Sequence, residues 1–285
     1  MESYISKARD FVKRQLDKDL FFTSFLSHDR LGKKIIRPVQ EFFTTAIIAS
    51  ILKKENFIQP LLDKFFMIAS KQWFTFYPEP IYPADADTNS VIFNLLLEKN
   101  YPITERTINL LDTIKQFSHN GICGVWLSND RKQQFDPVVS CNIQILASTI
   151  GVQKDFIQNR DFVIKHLKTG NYLKGTRYYH SPFAFLYFLV KLAEKDLEAK
   201  SLIYNDLQKS IYLLKMSSWH PIDLAQSVII SRWAGLNIDE NFNKLLNLQK
   251  TKGNIPADSL FQLGSAKSFF VSSALSTAFF IQAQT

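Results

Sequence analysis

Cysteine, glycine and proline are all scarce in this chain of 285 residues, and each scarcity narrows the class of protein. The 2 cysteines, Cys123 and Cys141, show neither a metal-ligand spacing nor a disulfide framework, which favours a reducing compartment. With only 9 glycines and 10 prolines, a loop-rich all-β chain or a collagen-like chain is excluded. No apolar run reaches the roughly 20 residues that span a bilayer, and the amphipathic N-terminus lacks the apolar core of a signal peptide. We therefore expect a cytoplasmic protein, and a peripheral membrane contact stays open.

The positive charge of the chain is spread out and forms no continuous surface stripe. The net charge is +8 and the isoelectric point is near 9.3. Lys and Arg alternate with acids, as in KARDFVKRQLDKDL, and no basic stripe is interleaved with aromatics that could stack on bases. These features exclude nucleic acid as the expected partner. An anionic substrate or an anionic lipid surface fits the charge equally well.

Apolar residues are abundant and recur at helical spacing, whereas strand signals are rare. Hydrophobic residues make up 46% of the chain, and 25 of its residues are Phe. The periodicity predicts twelve helices joined by short connections, over 2–19, 38–53, 57–76, 88–99, 104–117, 136–151, 155–166, 181–195, 199–215, 221–235, 239–250 and 271–283. We therefore predict an all-α fold in which residues 1–285 form a single domain.

The predicted helices alternate between two kinds. Those at 38–53, 88–99, 136–151, 181–195, 221–235 and 271–283 are apolar with small or hydroxyl residues, and those between them carry more charge. Two interleaved sets of six predict an (α/α)6 double barrel with a central apolar pocket, although a helical solenoid would give the same alternation. Residues 1–35 are predicted to be an N-terminal helical extension that packs on the barrel.

The stretch PADADTNS (83–90) is the strongest candidate for chemistry. It places two carboxylates, Asp85 and Asp87, one residue apart at the mouth of a helix in an aromatic-rich chain. A carboxyl group in a dry apolar cavity has its charged form disfavoured, and a second carboxylate beside it adds like-charge repulsion. One of the pair could therefore be held as a protonated acid. The simpler alternative is that Asp87 caps the helix that begins near Ser90 and that Asp85 is a solvated loop charge.

Four segments, taken in order, resemble one known family. DADTN (85–89) is similar to the D-x-D-D motif of class II terpene cyclases, and more closely to the D-x-D-T-T variant of some bacterial members. The other three segments are GVWLSNDRKQQFDPVVSCNIQILASTIG (124–151), RYYHSPFAFLYFLVKLA (177–193) and FFVSSALSTAFFIQA (269–283). Together they resemble class II cyclases of the prenyltransferase and squalene-cyclase superfamily. Because the chain is long enough for one barrel, it looks like the single-domain members, some of which cyclise prenyl chains attached to an aromatic head group.

The resemblance implies a role for each residue of the motif. Asp87, at the middle position, would donate a proton to a terminal alkene or an epoxide of a linear prenyl chain. Asp85 would tune or hold it, with Thr88 and Asn142 as hydrogen-bonding partners. The reaction would be an isomerisation to a cyclic product.

Aromatic faces are the expected means of holding the carbocation, through cation–π attraction in a site that excludes water. The candidate substrate-binding residues are Trp73, Trp126, Tyr178, Tyr179, Phe183, Trp219 and Phe270. His180 could be a terminating base or a hydrogen-bonded structural residue.

The resemblance implies no cofactor, because the proton starts the reaction. The aspartate-rich D-D-x-x-D motif of metal-dependent ionising synthases is absent from the sequence. Mg²⁺ would be needed only for a diphosphate substrate, which Lys174, Arg177 or Arg232 could then bind. The expected partner is an apolar prenyl-chain small molecule, and the sequence assigns no oligomeric state.

Three rival functions stay open. A protein prenyltransferase β subunit would need a zinc site of Asp, Cys and His, for which no recognisable spacing is present. A glycoside-processing (α/α)6 enzyme would need two carboxylates, for which Asp136 or Glu79 could supply the second. The third rival is a non-catalytic helical barrel that carries a prenyl chain or a lipid.

Overall fold

The fold is known from a computed structural model, which describes residues 2–214, 220–264 and 268–285. These residues contain twelve α-helices: α1 (Glu2–Arg14), α2 (Phe42–Ile51), α3 (Gln59–Ala69), α4 (Ala86–Glu98), α5 (Thr104–Gln116), α6 (Pro137–Thr149), α7 (Ile157–Lys168), α8 (Pro182–Lys195), α9 (Leu197–Leu213), α10 (Pro221–Trp233), α11 (Asp239–Asn247) and α12 (Ser273–Gln282). Each predicted helix overlaps one of them, so the protein is mostly helical, as predicted.

A small β-sheet corrects the prediction of an all-α chain. Strands β1 (Ser24–Ser27), β2 (Ile35–Val39), β3 (Asp258–Gln262) and β4 (Phe269–Ser272) form one antiparallel sheet in the order β2-β1-β4-β3. The predicted helical extension over 1–35 is helical only up to Arg14, and β1 lies in its second half. The strands are four or five residues long, which is too short for a period of two to stand out in the sequence.

The chain folds into two compact units. The first unit comprises Met1–Gln40, Leu173–Val190 and Asn205–Thr285, and the second comprises Glu41–Tyr172 and Lys191–Tyr204. Because both units are assembled from separate stretches of chain, neither corresponds to an N-terminal or C-terminal half. The single domain over 1–285 stays a prediction.

Burial separates the helices into the two kinds that the sequence predicted. Every residue of α6 from Pro137 to Ala147 is buried, whereas Leu245 is the one buried residue of α11. We call α2, α4, α6, α8, α10 and α12 the apolar helices, and the other six the surface helices. A surface helix buries one stripe of side chains, as an amphipathic sequence requires.

Helix packing can be followed within each unit. In the second unit α4 packs between α2 and α6, and α7 covers α6. At the C-terminal ends of α2, α4 and α8, the Glu98 carboxylate binds both Lys53 and Lys195. In the first unit α12 packs against α1 and α10, and α10 also contacts α11 and β3.

Each apolar helix begins at a polar side chain that accepts a hydrogen bond from a backbone N–H of its first turn. Such a cap satisfies one of the donors that have no partner within the helix. The capping residues are Glu41 for α2, Asp85 for α4, Asp136 for α6, Ser181 for α8, Asp258 for α10 and Ser272 for α12. Asp258 differs from the others because it caps α10 from a different element, the strand β3.

Candidate active site

Asp85 caps α4 and is almost completely shielded from solvent. Its backbone is extended, with φ −123° and ψ 149°, and its Oδ1 accepts the Thr88 backbone N–H at 2.7 Å. The side chain is 5% exposed, and Oδ2 has no well-formed hydrogen bond to any residue that the structure describes. Asp85 is thus a buried carboxyl group that the Thr88 N–H holds at the start of α4.

Burial raises the pKa of Asp85 to about 6 from its ordinary value of 3.8, because a carboxylate loses its hydration there, while the Thr88 N–H opposes the shift. Near neutral pH Asp85 therefore holds a proton more often than an ordinary aspartate does. The alternative of a solvated loop charge at Asp85 is therefore wrong, and a carboxyl group with a raised pKa lies within the motif.

Asp87 lies in the first turn of α4 and does not cap the helix. The helix begins at Ala86, two residues earlier than predicted, so the capping position falls to Asp85. Asp87 is half-buried, and its Oδ1 accepts a hydrogen bond of 2.7 Å from Asn142 Nδ2. The alternative in which Asp87 is the helix cap is therefore wrong, and the predicted contact between Asp87 and Asn142 is present.

Two polar bonds with equal sequence spacing hold α4 beside α6. Asn142 binds Asp87, and seven residues further along each helix Thr149 Oγ1 donates to Asn94 Oδ1 at 2.6 Å. Because both pairs advance by two turns in the same direction, the two helices are parallel and in register. The Asp87–Asn142 pair is therefore positioned by an extended helix–helix contact.

The fourth and fifth motif positions, Thr88 and Asn89, are both completely buried. Asn89 Nδ2 donates to the carbonyl oxygens of Phe74 and Asp85, each at 2.7 Å, and Asn89 Oδ1 accepts the Phe74 N–H at 2.9 Å. This set of bonds needs a group that both donates and accepts, which an amide provides. The departure from the family motif at Asn89 therefore has a structural role, because the side chain fixes the 73–75 segment to the start of α4.

The segment around Trp126 runs antiparallel to the segment that carries Asp85. Ala86 N–H donates to Val125 O at 2.8 Å, and Leu127 N–H donates to Ala84 O at 2.9 Å. Asp85 and Trp126 consequently lie directly opposite each other in a short β-bridge. Two segments that the family resemblance singled out separately, DADTN and GVWL, are thus in contact.

Aromatic rings form a cluster next to this bridge. Tyr82 stacks on Tyr77 with ring centroids 5.9 Å apart and lies 6.1 Å from Trp126. The Arg131 guanidinium carbon is 4.3 Å from the Tyr82 ring centroid and 5.1 Å from that of Trp126. Tyr82 and Arg131 were missed at the sequence level, because nothing in the motif indicates that the loop after α3 and the loop before α6 meet.

Trp73 packs against a face of α4 that differs from the face carrying Asp87. Its ring is 5.8 Å from the Phe93 ring, and the Arg106 guanidinium lies 4.1 Å from its centroid. Phe93 follows Asp87 by six residues, which places the two side chains about 120° apart around the helix. These contacts do not bring Trp73 to the carboxyl pair.

The remaining aromatic candidates lie in the first unit, apart from Trp219, which falls outside the described residues. Tyr179 is 1% exposed and packs edge-to-face on Phe188, with 5.6 Å between the rings. Phe270 is equally buried and stacks on Phe261 at 4.9 Å within the sheet. The other two candidates are Tyr178, which is half-buried, and Phe183, which is buried in α8.

His180 is a buried imidazole of the first unit. Both of its ring nitrogens are shielded from solvent, and its ring meets the Phe269 ring edge-to-face at 5.3 Å. Burial lowers the pKa of His180 to about 3, so the imidazole is neutral at physiological pH. A neutral imidazole retains the lone pair that a proton acceptor needs.

In the described part of the chain, no three His, Cys, Asp or Glu side chains are arranged to hold a metal ion. Both cysteines are buried free thiols, and burial raises the pKa of Cys123 to about 12. Burial and the charges of Asp136 and Asp87 raise the pKa of Cys141 well above its ordinary value. Both thiols therefore stay protonated at neutral pH, whereas metal ligation needs thiolates.

The three cations that could bind a diphosphate differ in their surroundings. Arg232 donates to the Ala283 carbonyl at 2.8 Å, which places it at the C-terminal ends of α10 and α12. Lys174 and Arg177 are exposed. These contacts do not bring the three cations together.

The two carboxylates considered as the second acid of a glycoside-processing enzyme differ in burial. Asp136 is completely buried and caps α6 by accepting the Val138 N–H at 2.9 Å. Glu79 is exposed.

A search of the described helices for one long and apolar enough to cross a membrane finds none.

Comparison with known structures identifies the fold as that of type II (class II) terpene cyclases. The structure of MstE from Scytonema, without ligand, matches with a TM-score of 0.71 over 99% of this chain and 96% of that chain, at 11% sequence identity. A variant of MstE in complex with geranylgeranyl dihydroxybenzoate, its substrate, matches with a TM-score of 0.64 over 99% of this chain and 95% of that chain, at 12% identity.

In sequence, the chain is similar to drimenol cyclase drtB from Aspergillus calidoustus. The two are 24% identical over 263 residues, which cover 87% of this chain and 46% of that protein. The chain thus spans about half the length of that relative. No family model matches the chain. The resemblance to class II terpene cyclases that the sequence predicted is confirmed by these two likenesses.

Proposed function

We propose that this protein is a class II terpene cyclase, which starts the cyclisation of a linear prenyl chain by protonating it. The observation that carries the proposal is the pair at the start of α4. Asp87 accepts a hydrogen bond from Asn142, and two residues before it Asp85 is buried with no charged partner among the residues that the structure describes. A site that donates protons to carbon needs such carboxyl groups, shielded from water and held in place.

In the proposed reaction Asp87 is the proton donor. The π electrons of the terminal alkene form a new C–H bond with the Asp87 proton, and the O–H bond electrons stay on the carboxylate. The hydrogen bond from Asn142 to Oδ1 stabilises that carboxylate, so the proton leaves from Oδ2. For an epoxide the proton goes to the oxygen, and the C–O bond opens.

The positive charge left on carbon is consumed by the neighbouring alkenes of the same chain. Each ring closure uses one π pair to form a carbon–carbon bond and moves the charge along the chain. Loss of a proton from the last cation restores an alkene, so the product is an isomer of the substrate. Among the aromatic candidates, Trp126 is the one that lies opposite Asp85 and is best placed to face a cation.

We also propose that the apolar helices are the inner ring of an (α/α)6 barrel with an apolar pocket. The alternation of nearly fully buried helices with one-stripe helices supports this proposal. We further propose that DADTN acts as a D-x-D-T-T-like motif, with Asp85 and Thr88 as buried neighbours of the donor. The two reduced, buried thiols support the expectation of a cytoplasmic location.

The expected substrate is a prenylated small molecule. The relatives favour two forms of it, a prenyl chain on dihydroxybenzoate as in the MstE complex and a chain that leads to drimenol. We expect no cofactor in the first case. Mg²⁺ would be needed only where a diphosphate head group must be bound.

The test is incubation of the purified protein with geranylgeranyl dihydroxybenzoate, farnesyl diphosphate and geranylgeranyl diphosphate, each with Mg²⁺ and with a chelator. We expect a cyclic isomer of unchanged mass from one of them, detected by chromatography and mass spectrometry. If a substrate binds and is never converted, the protein is the non-catalytic prenyl carrier of the rival hypothesis. A hydrocarbon product, formed by breaking the C–O bond to the diphosphate, would instead indicate ionisation, and it would contradict the proposal.

A further inference from the structure

The most unusual surface of the first unit is one edge of its sheet. β2 is the outermost strand in the order β2-β1-β4-β3, so one side of it has no neighbouring strand among the residues that the structure describes. Residues 33–38 (KKIIRP) are exposed without interruption. We call residues 33–37 the basic edge. The opposite edge strand, β3, is buried from Asp258 to Phe261, so the exposure belongs to β2 in particular.

Two isoleucines project from the basic edge. Ile35 is 53% exposed and Ile36 is 43% exposed, although neighbours in a regular strand point to opposite faces. The pairing of β2 with β1 shifts register between Leu26 and Ser27, so Ile36 is an extra residue without an opposite partner. A bulge of this kind lets both side chains leave the body of the sheet.

Cations flank the isoleucines on both sides. Lys33 and Lys34 precede them and Arg37 follows, and in the described part of the chain none of the three forms an ion pair with an acid. These three cations and Pro38 alone could be explained as protection of a sheet edge against aggregation. Protection does not explain Ile35 and Ile36, since exposed apolar side chains on an edge promote the association that the charges would prevent.

The hairpin that presents the basic edge has a fixed shape. The Asp29 carboxylate accepts the backbone N–H groups of Leu31, Lys33 and Lys34 at 3.0, 3.1 and 2.5 Å. Arg30, in the same turn, is anchored inward by the Asp223 and Asp258 carboxylates. Little conformational freedom remains to be lost when the edge meets a partner, which favours binding.

We propose that the basic edge docks the protein on an anionic lipid surface, with Lys33, Lys34 and Arg37 at the head groups and the two isoleucines inserted between them. Charge complementarity selects this partner, because three unpaired cations around a small apolar tip match a negative surface above hydrocarbon. The inference does not rest on the proposed reaction, since it concerns a surface that would act the same way on a protein without activity.

The test is flotation of the full chain with vesicles of phosphatidylcholine alone and of phosphatidylcholine with about 30% phosphatidylserine. We expect binding to the anionic vesicles, weakened by high salt. Each cation near such a surface contributes about fivefold to partitioning, so K33Q/K34Q should lower it roughly 30-fold. I35S/I36S should lower it at least roughly tenfold, because less apolar surface is buried.

The matched control is K250Q/K252Q, which removes the same charge from exposed lysines elsewhere in the first unit. It should bind like the original protein, and circular dichroism should show that every variant is folded. Equal losses in K33Q/K34Q and K250Q/K252Q would mean that net charge alone acts, and they would overturn the proposal. So would the absence of binding to anionic vesicles, or a dimer that I35S/I36S converts to monomer, because the edge would then be a protein interface.

Discussion

Asp85 and Asp258 have the same structural task and different electrostatic surroundings. Both are buried carboxyl groups that accept a backbone N–H at the start of an apolar helix, Asp85 in the second unit and Asp258 in the first. Around Asp258, Arg30 Nε donates at 2.9 Å, the Ile222 N–H at 2.9 Å and the Ser259 N–H at 2.8 Å. Around Asp85, the Thr88 backbone N–H donates at 2.7 Å, and no charged side chain among the described residues contributes to its pKa.

The pKa values follow those surroundings. Burial raises the pKa of both groups, but at Asp258 the His220 ring, which is 3.6 Å away, and the Arg30 charge more than offset it and leave the pKa below its ordinary value. At Asp85 burial prevails, and the pKa rises to about 6. Helix capping alone therefore does not fix the pKa of a buried carboxyl group, and the His220 hydrogen bond and the Arg30 charge set the direction of the shift at Asp258.

Removal of Arg30 would take away the cation that distinguishes Asp258 from Asp85, and it should have the largest effect on stability. Arg30→Met leaves Asp223 and Asp258 as buried carboxylates without a counter-charge, which typically destabilises a protein by about 3–5 kcal/mol. The loss should appear in the free energy of unfolding, measured in denaturant near pH 7, and it should shrink in acid, where both carboxyls can take up protons. Arg37→Met, on the exposed basic edge, should stay within about 0.5 kcal/mol. Equal effects of the two substitutions would contradict this account of Asp258.

The raised pKa of Asp85 predicts that stability depends on pH with the opposite sign to that expected for an ordinary paired carboxylate. Its folded pKa, about 6, lies above its ordinary value of 3.8, so between these values the folded state binds more protons than the unfolded state. The Asp85 contribution to the free energy of unfolding should therefore fall as pH rises through this window, by about 3 kcal/mol in all. Asp85→Asn keeps an amide oxygen for the cap and should remove this dependence. The measurement is the difference between the two unfolding curves against pH, and a flat difference would contradict the raised pKa.

Substitution of Asn142 tests whether this residue positions the acid or only packs α6 on α4, and it should have the smallest effect of the three. Asn142→Leu removes the hydrogen bond to Asp87, which should lower kcat by about 10- to 100-fold with little change in KM, as loss of one charge-assisted bond does. Thr149→Val is the matched control, because it removes the Thr149–Asn94 bond two turns further along the same contact. It should lower stability and leave kcat unchanged. If both substitutions lower kcat equally, Asn142 acts only through the packing of α6 on α4.

Helix positions were predictable because the signals are local. Caps, early prolines and a period of 3.6 are all contained in the stretch that folds, and the twelve helices follow from them. The alternative in which Asp87 caps the helix fails because α4 begins two residues earlier than predicted, which gives the capping position to Asp85 and leaves Asp87 in the first turn. Boundaries of that precision depend on the bridge between Asp85 and Trp126, which local sequence does not contain.

The sheet and the Arg30 cluster were not predictable, since both join distant parts of the chain. β1 pairs with β4 across most of the sequence, and FFVS reads as the beginning of α12 until Ser272 caps that helix. The Arg30 partners Asp223 and Asp258 are 193 and 228 residues away. Only tertiary structure decides which of many scattered acids meets a given arginine.

In the proposed function, Asp87 supplies the proton that starts the reaction. The most direct measurement is turnover in D₂O of a substrate that the protein converts, by the original chain, by Asp87→Asn and by Asp85→Asn, with substrate binding measured in parallel. From a substrate whose terminal alkene is protonated, we expect a cyclic product that carries a single deuterium on carbon, at least about 10³-fold slower turnover in Asp87→Asn with binding retained, and residual activity in Asp85→Asn. Unchanged turnover by Asp87→Asn, or a product formed from such a substrate in D₂O without deuterium, would contradict this role of Asp87.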